Sequence, residues 1–192
     1  MKRLVHRTLL AALASFSLAL AMPALAQKVK LATSEGDIVI ELDAAKAPKT
    51  VDNFLQYVNA GHYDGTVFHR VIDNFMIQGG GMTADLKEKP TRAPIGLESR
   101  TGLTNKRGTV AMARTNDPNS ATAQFFINVK DNDFLNQAQA RDGNGYAVFG
   151  KVVSGIEVVD KIRDVPVGSK AGHQNVPQQP VVIRKATLES SK

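Results

Sequence analysis

The chain has no cysteine and no tryptophan among its 192 residues. Without cysteine there is no disulfide, no thiol nucleophile, no thiolate metal ligand and no thiol to carry a lipid. Other chemistries are missing as motifs. The glycines of "QGGG" are not followed by Gly-Lys-Ser/Thr, so they do not form a phosphate loop. Ser120 lacks the Gly-x-Ser-x-Gly setting of an esterase nucleophile. The histidines, His6, His62, His69 and His173, show neither zinc-ligand spacing nor a triad arrangement. No metal and no cofactor is expected. Internal repeats, heptads and long low-complexity runs are absent as well.

One segment is strongly apolar, and it stands at the start. "MKRLVHR" is basic, "TLLAALASFSLALAM" is apolar and broken by serines, and "ALA" ends at Ala26 in a small-x-small pattern. This is the order of a secretory signal peptide, with cleavage expected after Ala26. Residues 1–26 are therefore set apart as a leader, and residues 27–192 as a single folded domain with a sizeable core. Loss of Lys2, Arg3 and Arg7 lowers the formal charge from +6 to +3. So small a charge argues against nucleic acid as a partner. After cleavage no membrane association is expected.

Periodicity organises the domain. Val29 and Leu31, then Ile38, Ile40 and Leu42, alternate with polar residues around "SEG", predicting a hairpin. Val51, Phe54, Leu55 and Val58 make one stripe of a helix, with Pro48 in its first turn and Gly61 as its stop. Six short β-branched or aromatic runs come next: "TVFHRVI", "FMIQGG", "GTVAMAR", "AQFFINV", "YAVFGKVV" and "PVVIRKATL". A second helix is expected at "GIEVVDKIRD", with Ile156, Val159 and Ile162 in its stripe. Many short strands with two helices predict a mainly β domain, an antiparallel barrel or sandwich. The loops over 83–99 and 132–145 are long enough to form a binding rim. "GLTNKRGT" reads as a solvated basic turn.

Within "FHRVIDNFMIQGGG", strict alternation puts Phe68, Arg70 and Ile72 on one face, and His69 and Val71 on the other. Alone, Arg70 reads as an arginine on a wet sheet face, and His69 as a hydrogen-bonded structural histidine. Gln78 shares a face with Met76, and Gln124 with Phe126. A glutamine on such an apolar face needs a polar partner. The glycines after it offer close backbone approach or positive φ.

The ordered set "VFHRVIDNFMIQGG", "GTVAMARTNDPNSATAQFFINV", "FLN" and "GYAVFGKVVSGIEVVDKI" resembles the cyclophilin family of peptidyl-prolyl cis–trans isomerases, from about Val29 to Leu188. The leader and the "MAR" and "GYAVFG" variants resemble its periplasmic bacterial branch. The resemblance implies a closed eight-stranded antiparallel β-barrel capped by two α-helices. By motif position it puts the catalytic arginine at Arg70 and pocket residues at Phe75, Met76, Gln78, Ala113, Gln124, Phe126 and Leu135. Arg114 stands where the family has a backbone-binding asparagine, and Tyr146 where a pocket histidine is common. Phe134 replaces a tryptophan associated with tight cyclosporin binding. The substrates implied are proline-containing peptides and unfolded exported proteins, acted on by a periplasmic monomer. Isomerisation needs no nucleophile. An arginine aimed at the proline nitrogen of a twisted amide, beside an apolar grip on the ring, suffices. Two alternatives stand beside this reading: a proline-binding chaperone without turnover, and an exported hydrolase.

Overall fold

The computed structural model describes residues 27–189; the expected leader lies outside them. The first hairpin pairs β1 (Lys28–Thr33) with β2 (Asp37–Leu42). Val29, Leu31, Ile38, Ile40 and Leu42 are all buried, as alternation requires. Helix α1 (Pro48–Asn59) buries Val51, Phe54 and Val58. No side chain of its own caps its N-terminus. Glu98, from the long loop, does so instead. Its carboxylate accepts the Lys49 N–H at 3.2 Å, and the Thr50 N–H and hydroxyl at 2.8 and 2.7 Å. A carboxylate there satisfies orphan donors and complements the helix dipole.

The remaining strands are β3 (Thr66–Ile72), β4 (Met76–Thr83), β5 (Thr109–Met112), β6 (Phe125–Asn128) and β7 (Val148–Ser154). Helix α2 (Ile156–Arg163), a small hairpin of β8 (Val167–Lys170) and β9 (His173–Pro177), and β10 (Ile183–Glu189) complete the domain. Eight strands form one antiparallel sheet in the order β10-β1-β2-β7-β5-β6-β4-β3. The sheet curls until its edge strands meet, but closure is partial. β3 and the approach to β10 share one isolated bridge, Val67 with Val182, and two backbone bonds, Gly65 N–H to Ile183 O and Phe68 N–H to Val181 O. The expected closed barrel is thus a curled sheet stitched at its seam. The β8–β9 hairpin was not foreseen; "VGSKAGHQNVP" carries almost no alternating apolar residues, and its strands are mostly exposed. No helix among the described residues is long and apolar enough to cross a membrane.

Phe54 from α1 anchors the core. Its ring lies 5.1 Å from Tyr63, 5.7 Å from Phe125 and 5.0 Å from Phe149. A second, smaller apolar cluster forms on the other face of the sheet around Met76, Ala111, Phe126, Leu135 and Val148, with Phe75, Ala113 and Tyr146 against it.

Candidate active site

The second cluster is where the sequence-predicted residues meet. Phe68 pairs with Gly79, yet Arg70 pairs with Gln78, so β3 advances two residues while β4 advances one. His69 is the extra residue of this β-bulge, and a bulge reverses the facing of the residues after it. Phe68 and Val71 therefore both point into the main core. Arg70 and Ile72 are left on the opposite face. The expectation that Phe68 shares a face with Arg70 fails at this bulge, and the failure explains why an arginine is tolerated there. The three glycines serve close approach. A Cβ on Gly79 would lie 3.0 Å from the Phe68 ring, and one on Gly81 would collide with the Gln124 side chain.

Arg70 is half-buried, and its guanidinium donates to Gln78 Oε1 at 3.2 Å. Gln78 Nε2 donates in turn to Gln124 Oε1 at 2.9 Å. This relay gives each glutamine its polar partner and fixes the direction of the arginine. Beside it opens a cavity of about 180 Å³, lined by Arg70, Phe75, Met76, Gln78, Ala113, Arg114, Phe126, Leu135 and Tyr146. Nine of the eleven expected site residues thus line one cavity. Gln124 stands behind Gln78 rather than in the cavity wall. Phe134 is 56 % exposed at the rim, its ring 5.6 Å from that of Phe75.

The Arg114 side chain is only 3 % exposed. Nε and one terminal nitrogen donate to Gly145 O at 3.0 and 2.8 Å, the other terminal nitrogen donates to Thr115 O at 2.9 Å, and Asp142 supplies an ion pair. The guanidinium carbon also sits 4.5 Å from the centre of the Tyr146 ring. Tyr146 meets Phe126 edge-on at 5.6 Å. Arg114 thereby clamps the loop that delivers Tyr146. Hydrogen bonds from Asn144 N–H, from Arg114 and from Gly145 N–H hold the Asp142 carboxyl down to about 2.

Sequence reasoning missed a buried chain of asparagines under the opposite wall. Asn132 Nδ2 donates to Phe75 O and to Asn128 Oδ1, both at 2.8 Å. Asn128 Nδ2 donates to Asn105 Oδ1 at 3.2 Å and to Thr109 Oγ1 at 3.0 Å. The Asn105 N–H reaches Asn136 Oδ1 at 2.7 Å. Asn105, Asn128 and Asn132 are fully buried. They tie Phe75 to the 3-10 turn Asp133–Leu135, which carries Phe134 and Leu135. The available signal was Asn128 itself, a polar residue ending the apolar run of "AQFFINV". "GLTNKRGT" is likewise no free turn, since Asn105 is interred and Arg107 grips Asp160 at 2.9 and 2.7 Å.

His69 is 6 % exposed, and its Nδ1 has no hydrogen-bond partner. Burial lowers its pKa to about 4, so the ring is neutral at pH 7. It is a buried structural histidine, as expected.

A half-buried arginine locked by a glutamine relay beside a small cavity, with Phe75, Met76, Phe126 and Leu135 in its wall, is a site for polarising a bound group. Residues 28–188 match the family model described as cyclophilin type peptidyl-prolyl cis-trans isomerase/CLD, so the chain belongs to that family. It is a peptidyl-prolyl cis–trans isomerase, whose substrates are proline-containing peptides and proteins. The hydrolase alternative falls away. Among its relatives, the peptidyl-prolyl cis-trans isomerase cyp18 of Streptomyces antibioticus is 63% identical over 161 residues, covering 83% of this chain and 97% of that one. Peptidyl-prolyl cis-trans isomerase B of Escherichia coli is 55% identical over 157 residues, covering 81% and 96%. The crystal structure of a Cryptosporidium parvum cyclophilin-type isomerase superposes with a TM-score of 0.71 at 28% identity, over 87% of this chain and 99% of that one.

Proposed function

We propose that Arg70 catalyses the isomerisation by stabilising a twisted X–Pro amide, and that the apolar walls of the adjoining cavity hold the proline ring. In a planar amide the nitrogen lone pair is delocalised, and the rotation barrier is about 18–20 kcal/mol. At the twisted transition state the lone pair returns to the nitrogen. A guanidinium N–H directed at it binds that state better than either planar one. Arginine suits the task because its charge does not titrate and its donors are fixed in a plane. Gln78 holds the guanidinium by its Oε1, which limits the reorganisation required during the reaction. Phe75, Met76, Phe126 and Leu135 exclude water and so strengthen the donor's effect. The carrying observation is the union of Arg70, Gln78 and these four apolar side chains around one 180 Å³ cavity.

The test is protease-coupled isomerisation of a proline peptide by the unmodified protein and by Arg70→Ala. Loss of one preorganised donor is worth roughly 3–4 kcal/mol, so kcat/KM falls about 10²–10³-fold in a protein that stays folded. Near-normal turnover in folded Arg70→Ala would remove the mechanism. It would also favour the chaperone alternative, in which the cavity grips proline and the arginine is incidental.

The physiological substrates in this proposal are exported proteins folding in the periplasm. The support is the basic, apolar, small-x-small order of residues 1–26. Cell fractionation and N-terminal sequencing test it, with a periplasmic protein beginning at Gln27 as the expected result.

A further inference from the structure

Arg70 and Gln78 border two cavities. Beyond the proline pocket they also line an open cleft of about 510 Å³, closed on its far side by the tip of the β8–β9 hairpin. The cleft adds His69, Gln124, His173, Gln174 and Asn175 to Arg70 and Gln78. The proposed catalysis uses none of the histidines and no part of the hairpin. Two turns of positive φ bring the hairpin tip over the sheet, at Ala171–Gly172 and at Asn175.

The chemistry of the cleft is one-sided. Hydrogen-bond donors face it from Arg70, from the Gln124 amide, which offers its Oε1 but not its N–H groups to Gln78, and from the exposed His173 and Gln174. No carboxylate is among its lining residues. His69 also lines it, more than nine-tenths buried. A permanent cation with no carboxylate to offset it makes a poor surface for a lysine or arginine. It suits a carboxylate, which brings acceptors only.

We infer that this cleft is a specificity subsite for an acidic side chain near the substrate proline. The inference rests on the isomerase mechanism proposed above, because Arg70 and Gln78 are what join the two cavities. An extended peptide whose proline fills the 180 Å³ pocket passes Arg70 in one direction only, so its acidic residue lies on one side of the X–Pro bond. Asp or Glu there adds a partly exposed charge pair to the bound state.

The experiment compares kcat/KM for proline peptides carrying Glu, Gln or Lys at each of two positions before X and two after proline. Glu exceeds Gln, and Gln exceeds Lys, at a position on one side only. Each step is about two- to fivefold, the size of a partly exposed ion pair, and shrinks at high salt. His173→Glu and Gln174→Glu both alter the exposed hairpin, outside the catalytic relay. Either one abolishes or reverses the preference while turnover of the Gln peptide is unchanged. Equal rates for Glu and Lys peptides at every position overturn the inference. So does a preference of equal size on both sides, which is general steering, or one that survives both hairpin variants. Failure of the isomerase mechanism is distinguishable, because it appears in the Gln peptide with Arg70→Ala.

Discussion

Replacing Arg114 by alanine removes the clamp on the loop that carries Tyr146. The guanidinium makes three bonds to backbone carbonyls, two to Gly145 O and one to Thr115 O. Hydrogen bonds from a charged group are worth about 1.5–3 kcal/mol each, but two of these share one acceptor and the loop is partly wet. The released carbonyls gain water, so the net loss is on the order of 2–3 kcal/mol. The ion pair with Asp142 adds little, since that carboxylate faces solvent and returns to it. At about 2–4 °C per kcal/mol for a domain of this size, the melting temperature falls by roughly 4–12 °C. The kinetic signature is more specific. Arg70 and Gln78 stand on β3 and β4, whereas the Arg114 hydrogen bonds run to Gly145, Thr115 and Asp142, and Tyr146 loses the cation over its ring. The Tyr146 N–H also bonds Leu135 O, so both cavity walls loosen together. KM therefore rises severalfold while kcat changes little. Arg114→Lys restores charge but not the fork, and recovers only part of the stability. The assays are thermal unfolding and steady-state isomerisation. A larger fall in kcat than rise in KM, or full rescue by lysine, refutes this account of Arg114.

The pH profile of kcat/KM for a neutral peptide is expected to be nearly flat from about pH 6 to 9, because arginine does not titrate there and His69, at about 4, stays neutral; a bell shape tracking the chemical step would refute charge-only catalysis. Stability behaves differently. His69 has a folded pKa of about 4, lowered by burial from 6.5, so below pH 6.5 the unfolded chain takes up a proton that the folded one refuses. The stability this histidine confers is present above pH 6.5 and is lost as pH falls toward 4, and denaturant titrations of His69→Gln should show a shallower decline in that window. Asn128→Ala leaves Asn105 Oδ1 and the Thr109 hydroxyl without their donor; it should cost about 1–3 kcal/mol by denaturant unfolding, and an unchanged midpoint would mean the asparagine chain is not stabilising. Phe134 cannot supply the hydrogen bond of an indole N–H, so cyclosporin should inhibit poorly, and Phe134→Trp should tighten it about 5- to 150-fold with turnover little changed; low-nanomolar inhibition of the unmodified protein would contradict this.

Local pattern determined much of this protein. Alternation in 28–42 was enough for the first hairpin, because one buried face leaves only one register for its apolar residues. The stripe from Val51 to Val58, with Pro48 before it and Gly61 after it, was enough for α1. The motif order also singled out the residues that line the cavity, through their resemblance to a family rather than through periodicity. Tertiary structure decided what depends on partners distant in the chain. Strict alternation put Phe68 beside Arg70; pairing with β4 inserted a bulge at His69 and turned them to opposite faces. The cap of α1 came from Glu98, 48 residues from Thr50. Arg114 lines the pocket and is also a clamp, because Asp142 and Gly145 fold back onto it. The β8–β9 hairpin has little apolar pattern to read, and its position over β3 sets which surface lies next to Arg70. In each case the deciding contact joins groups remote in sequence, and a side chain's neighbours along the chain carry no record of which remote backbone will meet it.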